Sequence, residues 1–239
     1  MYRRLDPERV TATAVQLHQR IEERFPGSGL SRVALELEQV TREAHSLAAF
    51  VGHSHPGVLW GVRACVALLL LVPVAVASQM KFDGDAPGWA DLLQGVEALV
   101  NDIVFVGVAI YFLLGFDARR KRKHVLQALH TLRSLSHIVD MHQLTKDPER
   151  LVAPGPRTPS SPERTMSAFE LTRYLDYSSE MLAIAGKVAA IYVQEFDDPV
   201  TLDAASSVQE LTVNLSRSIW QKIVILERSV PSTASTNDA

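Results

Sequence analysis

The sequence predicts an all-α fold: a two-pass transmembrane helical hairpin with a cytoplasmic helical bundle. Three observations lead there. Two long apolar runs, 58–80 and 92–116, flank a short acidic loop. Five consecutive basic residues, Arg119 to Lys123, follow the second run. Outside these runs, apolar residues recur at helical spacing behind recognisable helix starts.

Helix starts come first. Asp6-Pro7-Glu8-Arg9, Asp147-Pro148-Glu149-Arg150 and Ser161-Pro162-Glu163-Arg164 share one logic. A side-chain oxygen accepts from free backbone N–H groups, Pro suits the first helical position, and Glu favours the positive helix end. The residues that follow do not match one another, so these are independent starts rather than a repeat.

Residues 1–57 read as two N-terminal cytoplasmic helices. The first runs from Pro7 to Phe25 with Val10, Ala14, Leu17 and Ile21 on one face, and Pro26-Gly27 ends it. The second starts near Ser31, and Val33, Leu37, Val40, Ala44, Leu47 and Val51 alternate steps of four and three, a coiled-coil-like seam. It ends in Gly52-His53-Ser54-His55-Pro56-Gly57.

The hairpin occupies 58–116, with an outer loop at 81–91. Its first run holds Arg63 near one end and Pro73 inside, where neighbouring helices satisfy the freed carbonyl. Its second run holds Glu97, Asn101 and Asp102 in its first half. The uncharged core of each run is only about 14 residues, against about 20 needed to span, but Arg63 and Glu97 lie close enough to the ends to snorkel. The acidic N-terminal region fits neither a secretory signal nor a transit peptide. The loop carries Lys81 against Asp83, Asp85 and Asp91, while the basic block sits at the other end of the second run, which places both termini in the cytoplasm. A plasma or bacterial inner membrane is the expected location.

A cytoplasmic helix over 117–146 follows, with Val125, Ala128, Leu129, Leu132, Leu135 and Val139 on a broad face. Residues 147–165 contain five prolines and read as a linker. Residues 166–228 form an antiparallel helical hairpin, its first helix drawn from as early as Pro162 to Phe196 and its second from Pro199 to Arg228. The expected buried positions are Leu171, Tyr174, Met181, Ala185, Val188 and Tyr192, then Val208, Leu211, Leu215, Ile219 and Leu226. Residues 229–239 are a small, polar, disordered tail.

Composition excludes some functions. With 24 basic against 27 acidic residues the chain lacks the basic surface nucleic acid requires, and its single cysteine, Cys65, allows no intramolecular disulfide. No catalytic fingerprint or cofactor motif appears. Asp176 and Glu180 are four apart but share a face with Arg173 and Lys187, which reads as a solvated face of weak ion pairs.

Three functional readings remain. The leading one is a non-enzymatic, homo-oligomeric interaction or sensing module, anchored in the lipid bilayer and open to a cytoplasmic protein partner. The alternative is an oligomeric cation channel with Asp102, Glu97 and Asp91 at an acidic outer vestibule. An ionised carboxylate in hydrocarbon costs at least about 2.5–3.5 kcal/mol, so Asp102 should face water or a partner, unless the helix begins only near Asp102 and leaves it among the headgroups. A third reading is a metal-binding bundle using His130, His137 and Asp140, although Arg133 beside them opposes a cation. Arg119, Arg120, Lys121, Arg122 and Lys123 anchor the topology and meet lipid headgroups.

Overall fold

Asp6 starts the first helix as its residue type predicts. Its carboxylate accepts from the backbone N–H groups of Glu8 and Arg9 at 3.0 and 3.4 Å, and α1 runs Pro7–Arg24. Gly27, at φ +64°, supplies the left-handed residue of the turn that follows. Ser28 then accepts from the Ser31 N–H at 3.1 Å, and α2 runs Gly29–Gly52. The computed structural model describes residues 4–52, 60–68, 88–146 and 166–229, with 57, 71, 148 and 159–161. Every regular element among them is an α-helix: α3 is Trp89–Leu144, α4 Ala168–Val193 and α5 Pro199–Ser229, and 60–68 is a further helical stretch.

The chain divides into two units, one of Met1–Gly52 with His124–Ala239, the other His53–Lys123. The first is a helical bundle. Val10, Ala14, Leu17 and Ile21 of α1 are buried, and so are Val33, Leu37, Val40, Ala44 and Val51 of α2. Polar links tie the two helices together: His18 Nδ1 lies 2.8 Å from Glu38, and the Ser31 hydroxyl donates to Glu22.

Helix α4 is the centre of the bundle, packed against α1, α2 and α5. Beyond the expected stripe it buries Leu175, Tyr177, Ser178, Leu182, Ile184, Ala189 and Ile191, which widens the apolar face to about 200° of the helix at 100° per residue. That breadth corrects the single-stripe reading. It follows from position, because a helix with neighbours on three sides must be apolar towards all of them. The start moves as well. The helix begins at Ala168 rather than Pro162, and its cap is Ser167, whose hydroxyl accepts from the Glu170 N–H at 3.2 Å while the Glu170 carboxylate accepts from the Ser167 N–H at 2.8 Å. This capping box holds the Glu170 carboxyl below its ordinary range.

In α5 the core positions are Val208, Ile219 and Leu226 as expected, with Ala205 and Ile223 added. Leu211 and Leu215 are only half-buried, another correction, because the inward face of α5 lies slightly round from theirs. Residues 124–144 of α3 join the same core through Val125, Leu129, Leu132, Leu135 and Val139. At the end of α3, Lys222 of α5 donates to the Gln143 carbonyl at 3.1 Å and to its side-chain oxygen at 2.5 Å. The His142 imidazole packs against Gly29, where a side chain would have to displace it.

Candidate functional site

The second unit holds the residues singled out for membrane chemistry. Its helical segment, residues 89–123 of α3, begins at Trp89 rather than near Asp102. Asp102 is therefore 13 residues, about 20 Å, inside the helix. The helix starts early because Trp89 to Val100 offers no proline and only Gly95 as a weak former.

This segment is apolar and uncovered. Leu93, Val96, Ile103, Val104, Phe105 and Phe112 are 52–74% exposed, and Trp89 and Tyr111 are exposed more than 70%. Across Leu93–Leu144 the most apolar 18-residue window has a mean hydropathy of 2.1 with none of it buried, long and apolar enough to cross a membrane. Among the described residues it is the one helix of that kind. Most of the first apolar run, 58–80, lies outside the described residues, as do 81–87 of the outer loop, most of the 147–165 linker and the tail from 230. Of that first run, 60–68 is described, and the Arg63 guanidinium lies 5.8 Å from the centre of the Trp60 ring.

One stripe of the segment departs from full exposure. Asp102, Val106, Ala109 and Ile110 are half-buried at spacings of four, three and one, a single helical face. Glu97 is exposed and lies off that face; the side chain of Asp91 lies outside the described residues. Of the three acidic candidates, then, Asp102 shares its face with half-buried apolar residues and Glu97 does not.

The basic block is not uniform. Lys121 is buried, 8% exposed, with its ammonium 3.3 Å from the Asp117 carboxylate one turn back. The basic block was expected as a whole at the lipid headgroups, without Asp117; the i,i+4 spacing of Asp117 and Lys121 was the signal for their pair. Arg119 folds back towards the apolar segment, donating to the Phe112 carbonyl at 3.4 Å with its guanidinium 6.0 Å from the Phe112 ring centre. Gly115 leaves the room, since a side chain there would meet the Arg119 guanidinium. Arg122 is half-buried, and Arg120 and Lys123 are exposed.

The His130, His137 and Asp140 set lies in the bundle unit. Both histidines are exposed, and Asp140 accepts from the Gln143 amide at 2.6 Å, which joins it to the Lys222 network. Among the described residues no three His, Cys, Asp or Glu side chains come together as metal ligands. Of the paired carboxylates, Asp176 binds Arg173 at 2.8 Å within α4, while Glu180 reaches across to Arg20 of α1 at 2.6 Å. Burial raises the Asp176 carboxyl against the pull of Arg173. The face is partly solvated and carries ion pairs, as expected, but Glu180 pairs with Arg20 of α1, and the Lys187 ammonium donates to the Ala183 carbonyl at 3.3 Å.

Comparison of the chain with protein-family models, with curated proteins and with solved structures returns no match.

Proposed function

We propose that this chain is an integral membrane protein: a non-enzymatic, homo-oligomeric interaction or sensing module, anchored by transmembrane helices at 58–80 and 92–116 with both termini cytoplasmic. The observation that carries this is the apolar window of α3, no residue of which is fully buried among the described residues. Apolar surface on that scale, left on a helix long enough to span, calls for hydrocarbon as its solvent. Arg119 folded back on Phe112 has the geometry of a snorkelling cation. In this reading the half-buried stripe from Asp102 to Ile110 meets another membrane helix, and the helical bundle presents surfaces to partners.

Two measurements test it. The protein should stay with membranes after alkaline carbonate extraction. Single cysteines in a Cys65→Ser background should label from outside at 83 or 85 and only after permeabilisation at 4 or 228. Release by carbonate overturns membrane integration, and opposite-side labelling of the two termini overturns the two-pass topology.

One observation favours the cation channel as a second reading: Asp102, on a half-buried face, is the carboxylate placed to line an assembly of such helices. Purified protein in liposomes would then conduct cations, and Asp102→Asn would lower the flux or change its selectivity. Correctly folded oligomer that carries no flux removes this reading and leaves the first intact.

A further inference from the structure

Helix α5 turns a second seam outward. Leu202, Ser206, Gln209, Val213, Ser216 and Trp220 follow one another at spacings of four and three, the pattern of a coiled-coil contact face. Leu202, Val213 and Trp220 stand 38, 55 and 58% exposed on it. Beside the seam lies a groove of about 430 Å³ between α4 and α5, its α4 wall made of Ser179 and Ala183 and its far rim of Trp220. Gly186 extends the small-residue wall; there a side chain would press on the Thr212 hydroxyl at 3.0 Å, and Gln209 donates to the Gly186 carbonyl at 3.4 Å. An exposed indole next to a groove with a small-residue wall is a self-complementary pair of features, as a two-fold interface requires.

The charges choose the orientation. Asp203, Glu210 and Arg217 recur every seven residues along the outer flank of the seam, while the opposite flank, Ala205, Thr212 and Ile219, is buried in the protomer's own bundle. The flank is acidic towards the start of α5 and basic further on. Parallel pairing of two such helices would set this flank against the partner's opposite flank, which is buried, and leave Glu210 and Arg217 no opposite charge to meet. Antiparallel pairing sets Glu210 of each copy against Arg217 of the other, because the same flanking position meets itself across an antiparallel coiled coil. Among the described residues neither Glu210 nor Arg217 has a hydrogen bond or ion pair within its own chain.

We propose that a second copy of this chain docks on the groove between α4 and α5, the two α5 helices antiparallel, Glu210 of each facing Arg217 of the other. In this register the Trp220 indole of each copy lies over Gln209 and the small-residue wall of the other's groove. The proposal rests on the homo-oligomeric reading and names the surface that produces it.

The test is charge reversal in the full-length protein, with self-association followed by sedimentation in detergent and by intermolecular energy transfer in vesicles. Both residues are exposed, so the fold should survive, which circular dichroism checks. Glu210→Arg and Arg217→Glu should each weaken association by roughly tenfold, since two-fold symmetry introduces each repulsion twice. The double variant should recover to within roughly threefold of the parent, and Trp220→Ala should weaken association at least as much as either single reversal. Single reversals without effect, or a double variant no better than either single, overturn the proposal and leave the groove to a partner of other chemistry. A parent protein that is monomeric removes the homo-oligomeric reading as well, whereas an oligomer indifferent to α5 removes this assignment alone.

Discussion

Replacing Asp102 with leucine tests the membrane reading at its most exposed point. If Phe116, which directly precedes Asp117 and the basic block, marks the inner edge of the hydrocarbon, the 14 residues back to Asp102 rise about 21 Å at 1.5 Å each. In a hydrocarbon core about 30 Å thick, Asp102 then lies about 9 Å below the outer face. An aspartate costs about 2.5–3.5 kcal/mol at the centre of a span and little at its edge, so a value of about 1.5 kcal/mol is expected at this depth. That corresponds to roughly tenfold in the insertion equilibrium. The measurement places residues 89–123 in a glycosylation-tagged insertion reporter and compares Asp102→Leu with Glu97→Leu, which lies five residues nearer the outer edge. Asp102→Leu should improve insertion by roughly tenfold and Glu97→Leu by much less. Equal, small effects of both would place Asp102 outside the hydrocarbon and refute the depth argument.

The bundle offers further tests. Leu182, fully buried at the centre of α4, should cost about 3–4 kcal/mol on substitution by alanine, seen as a lower midpoint in chemical denaturation with unchanged helicity. Ser167→Ala should cost about 1 kcal/mol by removing one half of the capping box. Burial pushes the Tyr174 hydroxyl up to about 12, so its contribution is complete below pH 10, the unfolded value, and is lost as pH rises towards 12. Two pKa units correspond to at most about 2.7 kcal/mol; solvent screening and the Lys146 ammonium, 5.3 Å from the ring centre, reduce this to about 1–2 kcal/mol. Tyr174→Phe should accordingly melt with a flatter pH dependence above pH 10 than its parent, and an unchanged slope would remove Tyr174 as the cause. At the acid end, the Glu38 carboxyl is held down chiefly by Arg42 and then by His18, so its contribution is present above the ordinary carboxylate range and lost as pH falls through the depressed value. Glu38→Gln should therefore flatten the acid limb of the stability curve.

Local rules were legible where they act over a few residues. The Asp6 cap, the Gly27 turn and the α2 seam follow from neighbours no more than seven positions apart, and periodicity alone picked out Val33, Leu37, Val40, Ala44 and Val51. The Ser167 to Glu170 box was equally local but lost to the proline signal at Pro162, which obeys the same chemistry. The partner of Glu180 was out of reach for a different reason. Its i,i+4 neighbours are visible in the sequence, whereas Arg20, 160 positions away, becomes a neighbour only when α1 packs on α4.

By itself the sequence determined the helical class, the apolar character of the segment after Trp89 and the sign of the charges beside it, because each depends on composition and spacing along one chain. Tertiary structure alone decided that α4 is central and apolar on three sides, that Glu180 meets Arg20, and that Asp102 shares a half-buried face with Val106, Ala109 and Ile110. The physical reason is that burial belongs to a neighbourhood. A helix carries its periodicity wherever it goes, but which side becomes core, which carboxylate meets which cation, and which seam is left outward depend on the elements that arrive beside it.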